Sequence, residues 1–145
     1  MKKIAFFDID GTLTSEIDGS IPVSAIEAIR AARANGNLMF INTGRCFQNV
    51  EERFRSIGFD GLVCGCGTNI YCEDREILHV SQTHDVTMEL LKAAQDADLD
   101  ILFESYKEVT FDRSRPLHDS EAIKLYRQFA SFDYHMPDPN TTPDF

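Results

Sequence analysis

The chain opens with Ile4-Ala5-Phe6-Phe7-Asp8-Ile9-Asp10-Gly11-Thr12-Leu13-Thr14, and this stretch decides the fold. Four apolar residues in a row predict a short strand buried on both faces. The strand runs into two carboxylates spaced two apart, Asp8 and Asp10. They point the same way if extended geometry continues. Gly11 lets the backbone turn sharply, and the amides of such a turn can face an anion. One carboxylate can attack while the other handles protons. The pair also suits a hard cation such as Mg²⁺, which prefers oxygen ligands.

Downstream, the sequence repeats the strand-and-loop theme. A polar loop reaches Gly19, and a helix follows with Ser24 and Glu27 as a capping box. Ile26, Ile29 and Ala32 recur at helical spacing, and Asn35-Gly36-Asn37 ends the helix. Leu38-Met39-Phe40-Ile41 is a second buried strand. It delivers Asn42-Thr43-Gly44-Arg45, where a hydroxyl, an unhindered amide and a guanidinium together make a phosphate site. The spacing predicts a helix over 47–57, with Phe47, Val50, Phe54 and Ile57 on one side and Gly58 as its stop. Leu62-Val63-Cys64 is a third strand. Strands alternating with helices predict a parallel sheet with right-handed crossovers. Such sheets bind ligands at the carboxyl ends of their strands.

Beyond that point the texture is α+β. Ile70-Tyr71-Cys72 and Ile77-Leu78-His79-Val80 read as a hairpin. Helices are expected over 86–97 and 119–130, and strands over 100–104 and 108–111. Three prolines leave 136–143 extended or loose.

The 145 residues carry a formal net charge of −10, with 43% hydrophobic and 26% charged residues. That composition is globular. So acidic a surface repels phosphate backbones and anionic lipid, which argues against nucleic-acid and membrane partners. No apolar run approaches the roughly 20 residues of a membrane helix, and the first apolar stretch stops at Asp8, too short for a signal peptide. A cytoplasmic location is expected, with Cys46, Cys64, Cys66 and Cys72 as reduced, inert thiols. Asp96, Asp98 and Asp100 lack the Gly and Glu of a calcium loop, so a solvated helix end is expected there. The charge is uneven, −1 over residues 1–72 and −9 over residues 73–145, which marks a soft boundary.

Asp8-Ile9-Asp10-Gly11-Thr12 after an apolar strand resembles the first motif of the haloacid dehalogenase superfamily. Thr43-Gly44-Arg45 resembles its second. Gly65-Cys66-Gly67-Thr68-Asn69-Ile70 resembles the junction where the Cof-type phosphatases begin an inserted cap; Cys66 stands where an Asn is usual. The resemblance implies an α/β fold: part of a Rossmann-like parallel core over 1–68 and part of an α+β cap over 69–145. It implies Mg²⁺-dependent hydrolysis of a small phosphorylated metabolite, such as a sugar phosphate, through an aspartyl-phosphate. Asp8 is then the nucleophile and Asp10 the general acid and base. The Asp8 carboxylate and the Asp10 backbone carbonyl hold the metal. Thr43 and Gly44 hold the transferring group, and Arg45 contacts substrate or braces the loop.

Two parts of that family are missing from this sequence: a core Lys, and a Gly-Asp loop that completes the metal site. Lys92, Lys107 and Lys124 all fall in the cap-like region. By the resemblance, the chain ends inside the cap. Weak Mg²⁺ binding, little activity, and self-association through an exposed sheet edge are therefore expected. Two alternatives are a compact phosphatase completed by oligomerisation and a non-enzymatic module that binds phosphate or accepts a phosphoryl group.

Overall fold

The computed structural model describes residues 1–73, 75–106 and 108–131. The loose segment expected over 136–143 lies outside them. The chain divides into two compact units, Met1–Val80 and Ser81–Phe145.

In the first unit β1 (Ile4–Phe7), β2 (Leu38–Asn42) and β3 (Gly61–Cys64) run parallel. The sheet does not stop at three strands. The hairpin β4 (Asn69–Cys72) and β5 (Arg75–His79) continues it antiparallel, giving the order β1-β2-β3-β4-β5. The hairpin assigned by sequence to the second body is therefore hydrogen-bonded into the first. The break falls after Val80 rather than at residue 68, because β3 pairs with β4 from Gly61↔Cys72 to Cys64↔Asn69.

Helix α1 (Val23–Ala34) crosses from β1 to β2 and buries Ile29, with Ile26 and Ala32 beside it. Its N-cap is Pro22, and no side chain caps it. Ser24 lies inside the first turn, so the capping box does not form. The expected helix over 47–57 is also interrupted. A 3-10 turn, Phe47–Asn49, is followed by an extended Val50–Glu51 step and the short helix α2 (Glu52–Arg55). Guanidinium groups explain the break. Arg55 donates to the Val50 carbonyl at 2.7 Å and to that of Phe47, and Arg45 donates to that of Asn49 at 3.3 Å. Carbonyls satisfied this way need no helical amide. The buried side is still Val50, Phe54 and Ile57, with Phe47 packed against it.

These residues share one core with Ile9, Leu13, Met39, Ile41 and Cys64. β1 departs from expectation. Its Ala5 and Phe7 face the core, but Ile4 and Phe6 are each 58% exposed. β1 is an edge strand with one face uncovered among the described residues.

The second unit holds α3 (His84–Asp96), the antiparallel pair β6 (Leu102–Glu104) and β7 (Val109–Phe111), and α4 (Ser120–Ser131). Val109, Phe111 and Phe129 form its core. Asp96 pairs with Lys92 and Asp98 with Arg115, while Asp100 accepts the His118 and Asp119 amides at 2.9 and 2.7 Å. The three carboxylates are thus committed to separate partners. No described helix is long and apolar enough to cross a membrane.

Candidate active site

Asp8 leaves β1 still extended (φ −74°, ψ 158°), so its exposed carboxylate sits at the carboxyl end of the strand. The chain then winds through a tight turn over Ile9–Leu13, closed by the Leu13 amide on the Asp8 carbonyl at 3.2 Å. Gly11 has φ +74°, a conformation that costs a side-chain-bearing residue energy. Ile9 and Leu13 are buried beneath the turn and anchor it, leaving Asp10 on the surface.

The β2 end supplies the opposing wall. Thr43 is buried, and its amide donates to the Val63 carbonyl at 2.9 Å, so β2 and β3 hold it in place. Its hydroxyl oxygen accepts the Arg45 amide at 3.2 Å. Gly44 is exposed, and a Cβ placed there would stand 3.5 Å from the Cys66 sulfur. The missing side chain keeps the Gly44 backbone approachable. Cys66 is an exposed thiol whose amide donates to the Thr43 carbonyl at 3.3 Å. The β3 end thus reaches the same loop.

Arg45 bridges the two walls. Its Nε donates to Asp10 Oδ2 at 2.9 Å and its Nη2 to Asp10 Oδ1 at 2.6 Å, a bidentate fork. Its Nη1 donates to Glu51 Oε1 at 3.2 Å and to the Asn49 carbonyl at 3.3 Å. Glu51 is held in turn by Arg53 at 2.8 Å. The Arg45 hydrogen bond keeps the Asp10 carboxyl below the usual carboxylate range, against a smaller opposing push from burial. Asp10 is therefore ionised in the free site.

The two walls bring Asp10 and Arg45 into direct contact, and Thr43 and Gly44 sit on the same β2 loop as Arg45. Glu51, Asn49 and Cys66 were not foreseen as site residues. Glu51 and Asn49 reach Arg45 only because the segment over 47–57 breaks. Cys66 belongs to the junction motif, but its position beside Gly44 is a product of β2–β3 pairing. Cys64 is buried, which pushes its thiol up to about 11 and disfavours the thiolate.

The oxygen donors suit Mg²⁺ in type. The Asp8 carboxylate and the Asp10 backbone carbonyl, the two donors the family resemblance implies, are of that type, while the Asp10 side chain is paired with Arg45. Among the described residues, no cluster of three or more potential ligand side chains completes such a site.

Comparison with known proteins fits this geometry. The family described as haloacid dehalogenase-like hydrolase matches residues 5–144. A phosphoglycolate phosphatase from Staphylothermus marinus is 30% identical over 138 residues, covering 92% of this chain and 53% of that protein. A subclass IIB sugar phosphatase of the superfamily superposes with a TM-score of 0.75 at 23% identity, over 100% of this chain and 56% of that one. A superfamily phosphatase from Bacteroides thetaiotaomicron gives a TM-score of 0.71 at 22% identity, over 95% and 49%. The chain spans about half the length of these relatives. With its two motifs on the first two strands of a parallel-rich sheet, the chain belongs to the haloacid dehalogenase-like hydrolases.

Proposed function

We propose that this chain carries the leading catalytic half of a Mg²⁺-dependent phosphomonoesterase that works through an aspartyl-phosphate. The observation that carries the reading is the Asp10–Arg45 fork. It ties the loop bearing Asp8 to the loop bearing Thr43 and Gly44. A small phosphorylated metabolite, such as a sugar phosphate, is the substrate class. The names of the relatives, a phosphoglycolate phosphatase and a sugar phosphatase, support it.

In this reading the Asp8 carboxylate attacks phosphorus and the ester P–O bond breaks, leaving the phosphoryl group on Asp8. Asp10, once released from the Arg45 fork and protonated from solvent, gives that proton to the departing alkoxide. It then takes one from the water that attacks the aspartyl-phosphate, releasing phosphate and restoring Asp8. The Thr43 hydroxyl and the Gly44 amide orient the transferring group. Bound Mg²⁺ would supply charge neutralisation between nucleophile and phosphate. Proton delivery requires Asp10 to leave the Arg45 fork. A phosphate dianion is the kind of acceptor that competes for a guanidinium. A cytoplasmic setting belongs to the same reading, and the Cys64, Cys66 and Cys72 thiols fit a reducing compartment.

The test is trapping with beryllium fluoride and Mg²⁺, followed by mapping of the modified residue. Modification of Asp8, lost in Asp8→Asn, is expected, together with very slow release of p-nitrophenol from p-nitrophenyl phosphate. Turnover that survives Asp8→Asn would overturn the reading. A phosphoryl group that stays on Asp8 without release of phosphate would point to a phospho-accepting module instead. Calorimetry should show weak Mg²⁺ binding, because the described donor set is sparse.

A further inference from the structure

Arg45 is divided between two carboxylates that approach it from different elements. Asp10 takes Nε and Nη2 at 2.9 and 2.6 Å. Glu51 takes Nη1 at 3.2 Å, together with the Asn49 carbonyl at 3.3 Å. The Asp10 contacts can therefore break while the Nη1 contacts stay whole. Exposure shows which side is free to move. The Asp10 side chain is 64% exposed, whereas that of Arg45 is 26% exposed. The Arg45 guanidinium lies over the buried Phe54 ring, 5.5 Å from its centroid, a further contact that does not involve Asp10.

Glu51 is itself fixed from behind. Arg53 Nε donates to Glu51 Oε2 at 2.8 Å, its Nη2 to Oε1 at 3.2 Å, and its Nη1 to the Gly19 carbonyl at 2.8 Å. The Arg53 guanidinium also sits over Phe54, 4.6 Å from the centroid. Two cations thus share one ring, and Glu51 Oε1 accepts from both, which offsets their repulsion. Charge then gives the arrangement a use. With Asp10 ionised, two carboxylates face two guanidiniums and cancel them. Once Asp10 is protonated and swings out, one net positive charge remains at Arg45. That charge complements a phosphate dianion, provided the guanidinium stays where it was.

We propose that Glu51 is a positioning residue that, braced by Arg53, retains Arg45 at the end of β2 when Asp10 leaves the fork. The carboxylate that carries the proton moves, and the guanidinium does not. The role rests on the phosphatase reading, in which Asp10 must leave Arg45, but the retention itself is measured without turnover.

The measurement is the rate at which phenylglyoxal modifies Arg45 in the full chain at neutral pH, read by peptide mass spectrometry. A guanidinium held by carboxylates reacts slowly and a mobile one reacts fast. Glu51→Ala alone should raise the rate only about twofold, because the Asp10 fork still holds Arg45. In an Asp10→Ala background the same substitution should raise it about tenfold, because both carboxylates are then gone. Asp10→Ala by itself should stay within about threefold of the wild type, with Glu51 as the retainer. A merely structural Glu51 would give one factor in both backgrounds. Equal factors would overturn the proposal, and so would an Arg45 that reacts as fast in Asp10→Ala as in the double variant. Arg33, forked onto Asp60 in the same unit, is the internal control, and its rate should not change. If Glu51→Ala speeds Arg33 as well, the fold has loosened, and Glu51→Gln takes its place. It keeps the volume and loses the charge, so the same dependence on Asp10 should appear with smaller factors; its absence would overturn the proposal. The two readings fail separately. Turnover that survives Asp8→Asn removes the phosphatase and leaves these rates unchanged, whereas equal factors remove the retention and leave trapping at Asp8 unchanged.

Discussion

Asp60 holds three elements of the first unit together with one carboxylate. It accepts Arg33 Nε at 3.1 Å and Nη2 at 2.8 Å from α1, and the Met39 amide of β2 at 2.8 Å, just before β3 begins. The Arg33 hydrogen bond is the largest cause holding its carboxyl below the ordinary value of 3.8. A carboxylate lowered in the folded state stabilises the fold above its unfolded value and loses that contribution as pH falls through the folded one. Asp60→Asn should cost about 1–2 kcal/mol at neutral pH, discounted because Arg33 is partly exposed. Urea unfolding should show the cost shrinking as pH falls below 3.8 through the lowered folded-state value; a cost that does not change with pH would contradict this account. Asp8, Asp10, Thr43, Gly44 and Arg45 were nameable as candidates from chemical type and place at a strand end. Asp60, Glu51 and Asn49 were not. Their partners arrive through folding, and nothing in their spacing announces a guanidinium.

At the scale of elements, burial was easier to read than backbone path. Val50, Phe54 and Ile57 are buried as their spacing predicts, yet the helix meant to carry them is broken by arginine side chains that take its carbonyls. The strands were legible from their apolar runs. The hairpin's membership was not, because pairing to β3 depends on backbone register rather than on side-chain pattern. Helix starts show the same contrast. Ser24 makes no cap, whereas Asp119 Oδ1 accepts the Glu121 and Ala122 amides, each at 2.9 Å, at the start of α4. Asp119→Ala should therefore destabilise the second unit by about 1 kcal/mol. Ser24→Ala in α1 should be near neutral or slightly stabilising, since Ala is the better helix former. Denaturant melts followed by circular dichroism separate the two, and a substantial loss from Ser24→Ala would show that the capping box exists in solution.

For the molecule as a whole, the order of strands in the first unit carries a kinetic consequence. Spatial order and chain order coincide from β1 to β5, and each strand pairs with the one made just before it. On the ribosome each strand from β2 to β5 meets a neighbour already synthesised. The longest wait is between Ile4 and Leu38, and it is filled by α1, a local structure that shortens the search. The sheet can grow like a zipper from its amino end, while the second unit is still being synthesised. Pulse-labelled hydrogen exchange on stalled nascent chains should find the β2 amides of Met39 and Ile41 protected before those of α4 are made. Protection of β2 that waits for the second unit would mean the two units fold as one.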